Sequence, residues 1–136
     1  MVDAERLARI LARVSADVAT LAATSPEGLA SDDRGLRAVK YTFVTAIEGC
    51  VRAAQHVLSS EGLGVPESNA AAVRLLGEHG VVQRDVASLV SRAVGFRNVL
   101  VHEYTDVDDE AVVANLGLVG DLDVFVVQLA AWAAEQ

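Results

Sequence analysis

Apolar residues recur every three or four positions along most of this chain, which is the spacing of one face of an α-helix. In the first such stretch Leu7, Ile10, Leu11, Val14, Val18 and Leu21 form the stripe, Asp3 stands in the N-cap position, and Ser25-Pro26 stops the run. The second begins near Ser31-Asp32-Asp33 and is the most strongly periodic. Leu36, Val39, Phe43, Ile47, Cys50, Ala54 and Val57 share one face, with Tyr41, Thr45, Glu48, Arg52, Gln55 and His56 opposite. A turn-rich connection from Glu61 to Pro66 leads to a short helix over 68–79, ended by Gly80. A fourth helix is expected from Gln83 or Arg84 to about Val101, on the stripe Val86, Leu89, Val90, Ala93, Val94 and Leu100. The run Thr105-Asp106-Val107-Asp108-Asp109-Glu110 supplies caps and early acids for a further helix, which Gly117 and Gly120 interrupt before 122–134 closes the chain. The pattern predicts an all-α bundle of five or six helices.

Composition narrows this picture. The 136 residues suit one domain over 1–136, because two cores would each bury too little apolar surface. Hydrophobic residues make up 52 % of the chain but aromatics only 4 %, a mix that favours closely packed helices over a sheet. A formal charge of −8 argues against sequence-independent adhesion to nucleic acid, so any RNA needs a local basic patch. The single cysteine, Cys50, lies in an apolar stripe and reads as a small core residue. Acids near the amino terminus do not suit a signal peptide, and no apolar run is expected to span a bilayer, which needs ~18 residues. The expectation is a cytoplasmic protein with no membrane segment.

One segment breaks the pattern. At about 100° per residue, Arg97 falls within the apolar stripe of the fourth helix, where a guanidinium needs a carboxylate, a carbonyl, a second chain or a phosphate. His102 lies about 140° further round, so the two side chains converge only if the helix ends near Val101 and turns. Converging there, they would offer one group to stabilise phosphoryl charge and one to move protons near neutral pH. The plainer reading is an arginine bonding helix-end carbonyls beside a histidine favouring the negative end of the dipole. What tilts the balance is spacing: Arg97, His102 and Tyr104 form R-x4-H-x-Y, in a chain with only three histidines and two tyrosines.

The segment Phe96-Arg97-Asn98-Val99-Leu100-Val101-His102-Glu103-Tyr104 resembles the signature of the HepT toxins of the HEPN superfamily, and Ala46-Ile47-Glu48-Gly49-Cys50 with Ala54-Gln55-His56 is similar to the family's second helix. The chain departs from the family at Arg52, where members usually carry an acid one turn before the histidine matching His56. The resemblance implies a HEPN-type bundle and a homodimeric, metal-independent endoribonuclease of a type VII HepT/MntA toxin–antitoxin system. It implies that Arg97 holds the scissile phosphate, His102 acts as general acid or base, Asn98 supports the pocket, and Tyr104 accepts AMP from a minimal nucleotidyltransferase antitoxin, MntA. A second reading makes the chain a non-catalytic partner that binds and presents that transferase.

Other residues carry less. His56 and His79 lack metal-ligand spacing, so neither a metal nor another cofactor is expected. Arg34, Arg37 and Lys40 read as a solvated helix face, with RNA guidance across a dimer as the alternative. Tyr41 and Trp132 read as packing residues rather than base-stacking platforms, and nothing points to DNA.

Overall fold

Helices in this protein begin where a short polar side chain can take up an orphan amide. The computed structural model describes residues 1–102 and 107–136. Asp3, Asp32, Ser68 and Asp108 each accept a backbone N–H one turn in, opening α1 (Ala4–Ala22), α2 (Asp33–Glu61), α3 (Asn69–Glu78) and α5 (Asp109–Asn115). The Arg6 N–H, and secondarily the charge of Arg9, hold the Asp3 carboxyl below its ordinary value. Completing the bundle are α4 (Arg84–His102) and α6 (Val119–Ala134), with 3-10 turns at Leu29–Ser31 and Leu116–Leu118. Among the described residues there is no strand. The all-α expectation and the helix order therefore hold.

Stops are equally local. α2 ends on Gly62, whose φ of 64° lies in the left-handed region that glycine enters without strain. Gly80, at φ 71°, follows the end of α3 in the same way. The expectation fails at Gly120, which lies in the first turn of α6 and does not interrupt it. Amides there lack intrahelical partners in any helix, so glycine costs little.

The long α2 is the centre of the bundle, with α1, α3, α4 and α6 packed around it. Phe43, Ile47, Cys50, Ala54 and Val57 of α2 are fully or almost fully buried, as are Leu7, Val14 and Leu21 of α1 and Phe125 and Leu129 of α6. Gly49 lets α1 approach closely, because a Cβ there would lie 2.5 Å from Val14 Cγ2. Phe43 meets Phe96 edge to face at 5.3 Å, which pins α4 against α2 just before Arg97.

The apolar-run expectation needs one correction. Within Asp109–Ala134 an 18-residue window reaches a mean hydropathy of 1.7, long and apolar enough by composition to cross a membrane. The stretch is divided between α5 and α6 by the Leu116–Leu118 turn, and α6 inserts Leu122, Phe125 and Leu129 into the core. A core helix of a helical bundle meets the same hydropathy test because it too is apolar on several sides.

Candidate functional site

Arg97 is held from across the bundle. Glu48 lies on the polar side of α2, and one of its oxygens, Oε1, accepts from Arg97 Nη2 at 2.5 Å and from Nε at 3.2 Å. Nη1 donates to Asn98 Oδ1 at 3.0 Å. The arginine side chain keeps 20 % of its exposure, so the stripe position expected to be core is a half-buried one at the edge of the bundle. Its partner is a carboxylate, not the carbonyls of a helix end. Among the described residues some of its guanidinium N–H donors meet no partner and can face an anion.

A cavity of about 190 Å³ opens beside this pair, lined by Glu48, Arg52, Gln55, Asn69, Val94 and Arg97. Gln55 Nε2 donates to Asn69 Oδ1 at 3.2 Å across its far wall. Arg52, the departure from the family pattern, therefore brings a second cation to the cavity that Arg97 borders. Glu48, one helical turn earlier, is the acid that faces the arginine. Sequence reasoning placed Glu48 on the correct face and missed its role. The signal was available: an arginine in an apolar stripe demands an anion, and Glu48 is an acid of the neighbouring amphipathic helix.

His102 is the last residue of α4 and is exposed. α4 ends one residue beyond the expected end near Val101, so His102 is still part of the regular helix. Arg97 and His102 therefore leave α4 about 140° apart, and within one chain no described hydrogen bond joins them. Continued i to i−4 hydrogen bonding carries the helix two residues past its last core residue, Leu100. Asn98 is exposed beside Arg97, and Tyr104 lies outside the described residues.

Elsewhere the residues take ordinary parts, with one exception. His56 Nε2 accepts the Asp3 amide at 3.2 Å, tying α2 to the start of α1. Lys40 is not on a solvated face but pairs with Asp109 at 3.1 Å, side chain 23 % exposed. Burial pushes the Cys50 thiol up to about 12 from its ordinary 9.0, which removes it from nucleophilic chemistry. The exception is Tyr41, expected to pack, which is 71 % exposed.

Comparison with known proteins places this arrangement. Residues 4–127 match the family described as Ribonuclease HepT-like. The mRNA nuclease HepT of Shewanella oneidensis is 29 % identical over 66 residues, which make up 48 % of this chain and 50 % of that protein. The matched stretch thus spans about half the length of that relative. Among solved structures, the tri-AMPylated HEPN toxin of Shewanella oneidensis in complex with MNT antitoxin superposes with a TM-score of 0.85 at 20 % identity, over 96 % of this chain and 99 % of that one. A toxin–antitoxin structure with AMP-PNP gives 0.85 at 19 %, over 92 % and 97 % of the two chains. YutE of Bacillus subtilis, described as a cytosolic protein of unknown function, gives 0.85 at 16 %, over 96 % and 90 %. These likenesses establish the HEPN-type fold. With all six described α-helices inside or overlapping the matched residues, the chain belongs to the ribonuclease HepT-like family.

Proposed function

We propose that this protein is a metal-independent endoribonuclease that works as a cytoplasmic homodimeric toxin and is neutralised by AMP transfer to Tyr104. The observation that carries the reading is Arg97, positioned by Glu48 and Asn98 at the mouth of a small cavity with donors to spare, on the helix that ends in His102. In this role the Arg97 guanidinium binds the scissile phosphate and stabilises its developing charge. His102 takes the proton of the ribose 2′-hydroxyl as its oxygen attacks phosphorus. The bond from phosphorus to the 5′ oxygen breaks, and that oxygen is protonated in turn, leaving a cyclic phosphate and a free 5′-hydroxyl. Neither step draws on a metal.

Dimerisation answers the 140° separation. The outward face of α4 carries Gly95, Asn98, Val99 and His102, all exposed and spaced i, i+3, i+4, i+7. Two copies meeting on that face gather two histidines about one axis, and each Arg97, on the inner side of its own α4, reaches the seam only through the hydrogen bond of its guanidinium to Asn98. For control, a nucleotidyltransferase of the MntA type would pass AMP from ATP to the Tyr104 hydroxyl, releasing pyrophosphate. The adduct's negative charge then competes with RNA for Arg97. The relative whose structure is described as a tri-AMPylated toxin with its antitoxin supports this regulation.

The test is expression of the chain alone, with and without His102→Ala, followed by RNA integrity analysis in EDTA. Growth arrest with RNA cleavage by the parent, and a loss on the order of 10²-fold or more in the variant, is expected. Equal cleavage by both would overturn the reading. A second reading, a non-catalytic partner that presents the transferase, draws on the same clamp around Arg97 and on the separation from His102. It predicts intact RNA from the parent together with a stable transferase complex.

A further inference from the structure

The polar side of α2 does not end at Glu48. Two and three turns towards the amino end, Tyr41, Lys40 and Arg37 line a cavity of about 620 Å³ together with Asp33, Leu100 and Asp109. Leu100 belongs to α4 between Arg97 and His102, so the cavity and the proposed catalytic helix share a wall. Seven residues separate Tyr41 from Glu48, about 10 Å of helical rise and nearly two complete turns, which sets both on the same side of α2.

The chemistry of this cavity suits a nucleotide. Tyr41 offers an aromatic face in the open, at 71 % exposure. Arg37 stands one turn before it and makes no ion pair with any described residue. The two acids do not cancel this. Asp109 is occupied by Lys40 at 3.1 Å, and Asp33 sits in the first turn of α2, where the helix dipole favours its charge. We infer that this cavity is a substrate subsite in which a base of single-stranded RNA stacks on Tyr41 while its phosphate meets Arg37. Lys40, fixed by Asp109, walls the subsite and joins the start of α5 to α2. Along α2 the ring of Tyr41 lies two turns from Glu48, the clamp of Arg97, so one strand can run from the subsite to a phosphate on Arg97. It explains how a chain of net charge −8 takes hold of RNA, with one ring and one cation placed along a single helix face.

This inference rests on the ribonuclease reading, and its test separates the two. A fluorescent single-stranded 2′-O-methyl oligoribonucleotide of about twelve nucleotides, within the range one such surface spans, cannot be cleaved and reports binding by anisotropy. Tyr41→Ala is expected to raise Kd about fivefold or more, and Tyr41→Phe to leave it within about twofold, because stacking needs the ring and not the hydroxyl. Arg37→Ala should lower the salt slope of log Kd by about 0.7, the value for one phosphate on a single strand. Circular dichroism checks that each variant is folded, as expected for an exposed position. Parental Kd values in both Tyr41→Ala and Arg37→Ala would overturn the subsite and leave cleavage by Arg97 and His102 standing. No binding by the parent would also overturn it, while RNA integrity on expression decides the cleavage reading independently.

Discussion

Arg97 has one anionic partner among the described residues, a single oxygen of Glu48, and that defines what its loss should do. Because the glutamate is partly open to solvent, the pair contributes only about 1 kcal/mol to stability, so Glu48→Ala should lower Tm by a few degrees. Its effect on catalysis should be larger. A guanidinium released from its clamp samples positions away from the phosphate, and cleavage by the folded variant should fall on the order of 10-fold or more. Full activity at a lowered Tm would show the pair to be structural only. At Cys50 the expectation concerns pH. Its thiol is raised in the folded protein from 9.0 to about 12, so the stability tied to it is fully present below pH 9.0 and is lost as pH rises towards about 12. Alkylation at about pH 8 should leave the native protein unmodified and label it once unfolded in urea, as read by intact mass. Rapid labelling of the native protein would contradict the buried placement.

At the scale of the element, α4 is the helix with two tasks. Its inner side, Val86, Val90, Val94 and Leu100, is buried against the bundle, and its outer side carries Gly95 in open space, where beyond the helix's own backbone nothing lies within 4 Å of where a Cβ would stand. In an isolated protomer Gly95→Ala should therefore stabilise the helix by about 0.5–1 kcal/mol, since glycine costs that much in a helix interior. In a dimer that meets on this face, a bulky side chain should act oppositely. Gly95→Trp is expected to leave helicity by circular dichroism unchanged while halving the mass by light scattering and removing cleavage. A Gly95→Trp protein that remains dimeric and active would move the interface elsewhere.

For the whole molecule, the expected assembly is twice the 14.3 kDa chain at micromolar concentration, and a monomer by light scattering would remove the dimeric site. Stability as a whole rests on the core shared by α1, α2 and α6. Phe125 is among its largest fully buried side chains, and Phe125→Ala should cost about 3–5 kcal/mol in urea unfolding, a large part of what a domain this size possesses. A loss below about 1 kcal/mol would mean that α6 is peripheral. The same experiment bears on the apolar stretch 109–134, because a helix whose truncation destabilises the bundle is spending its hydropathy on the core.

The helices, the cap at Asp3, the buried stripe of α2 and the family motif were legible in the chain alone, because periodicity and capping depend on residues within a few positions of one another. The sequence also identified Arg97 as a residue in need of a partner. Which partner was decided by tertiary structure alone. Glu48 is 49 residues away, and only the angle at which α4 lies on α2 brings it within reach. The Lys40–Asp109 pair spans 69 residues and took Lys40 out of solvent for the same reason. Tyr41 and His102 ended exposed because local spacing assigns a side chain its direction around its own helix, while what covers that direction depends on where the other helices pack.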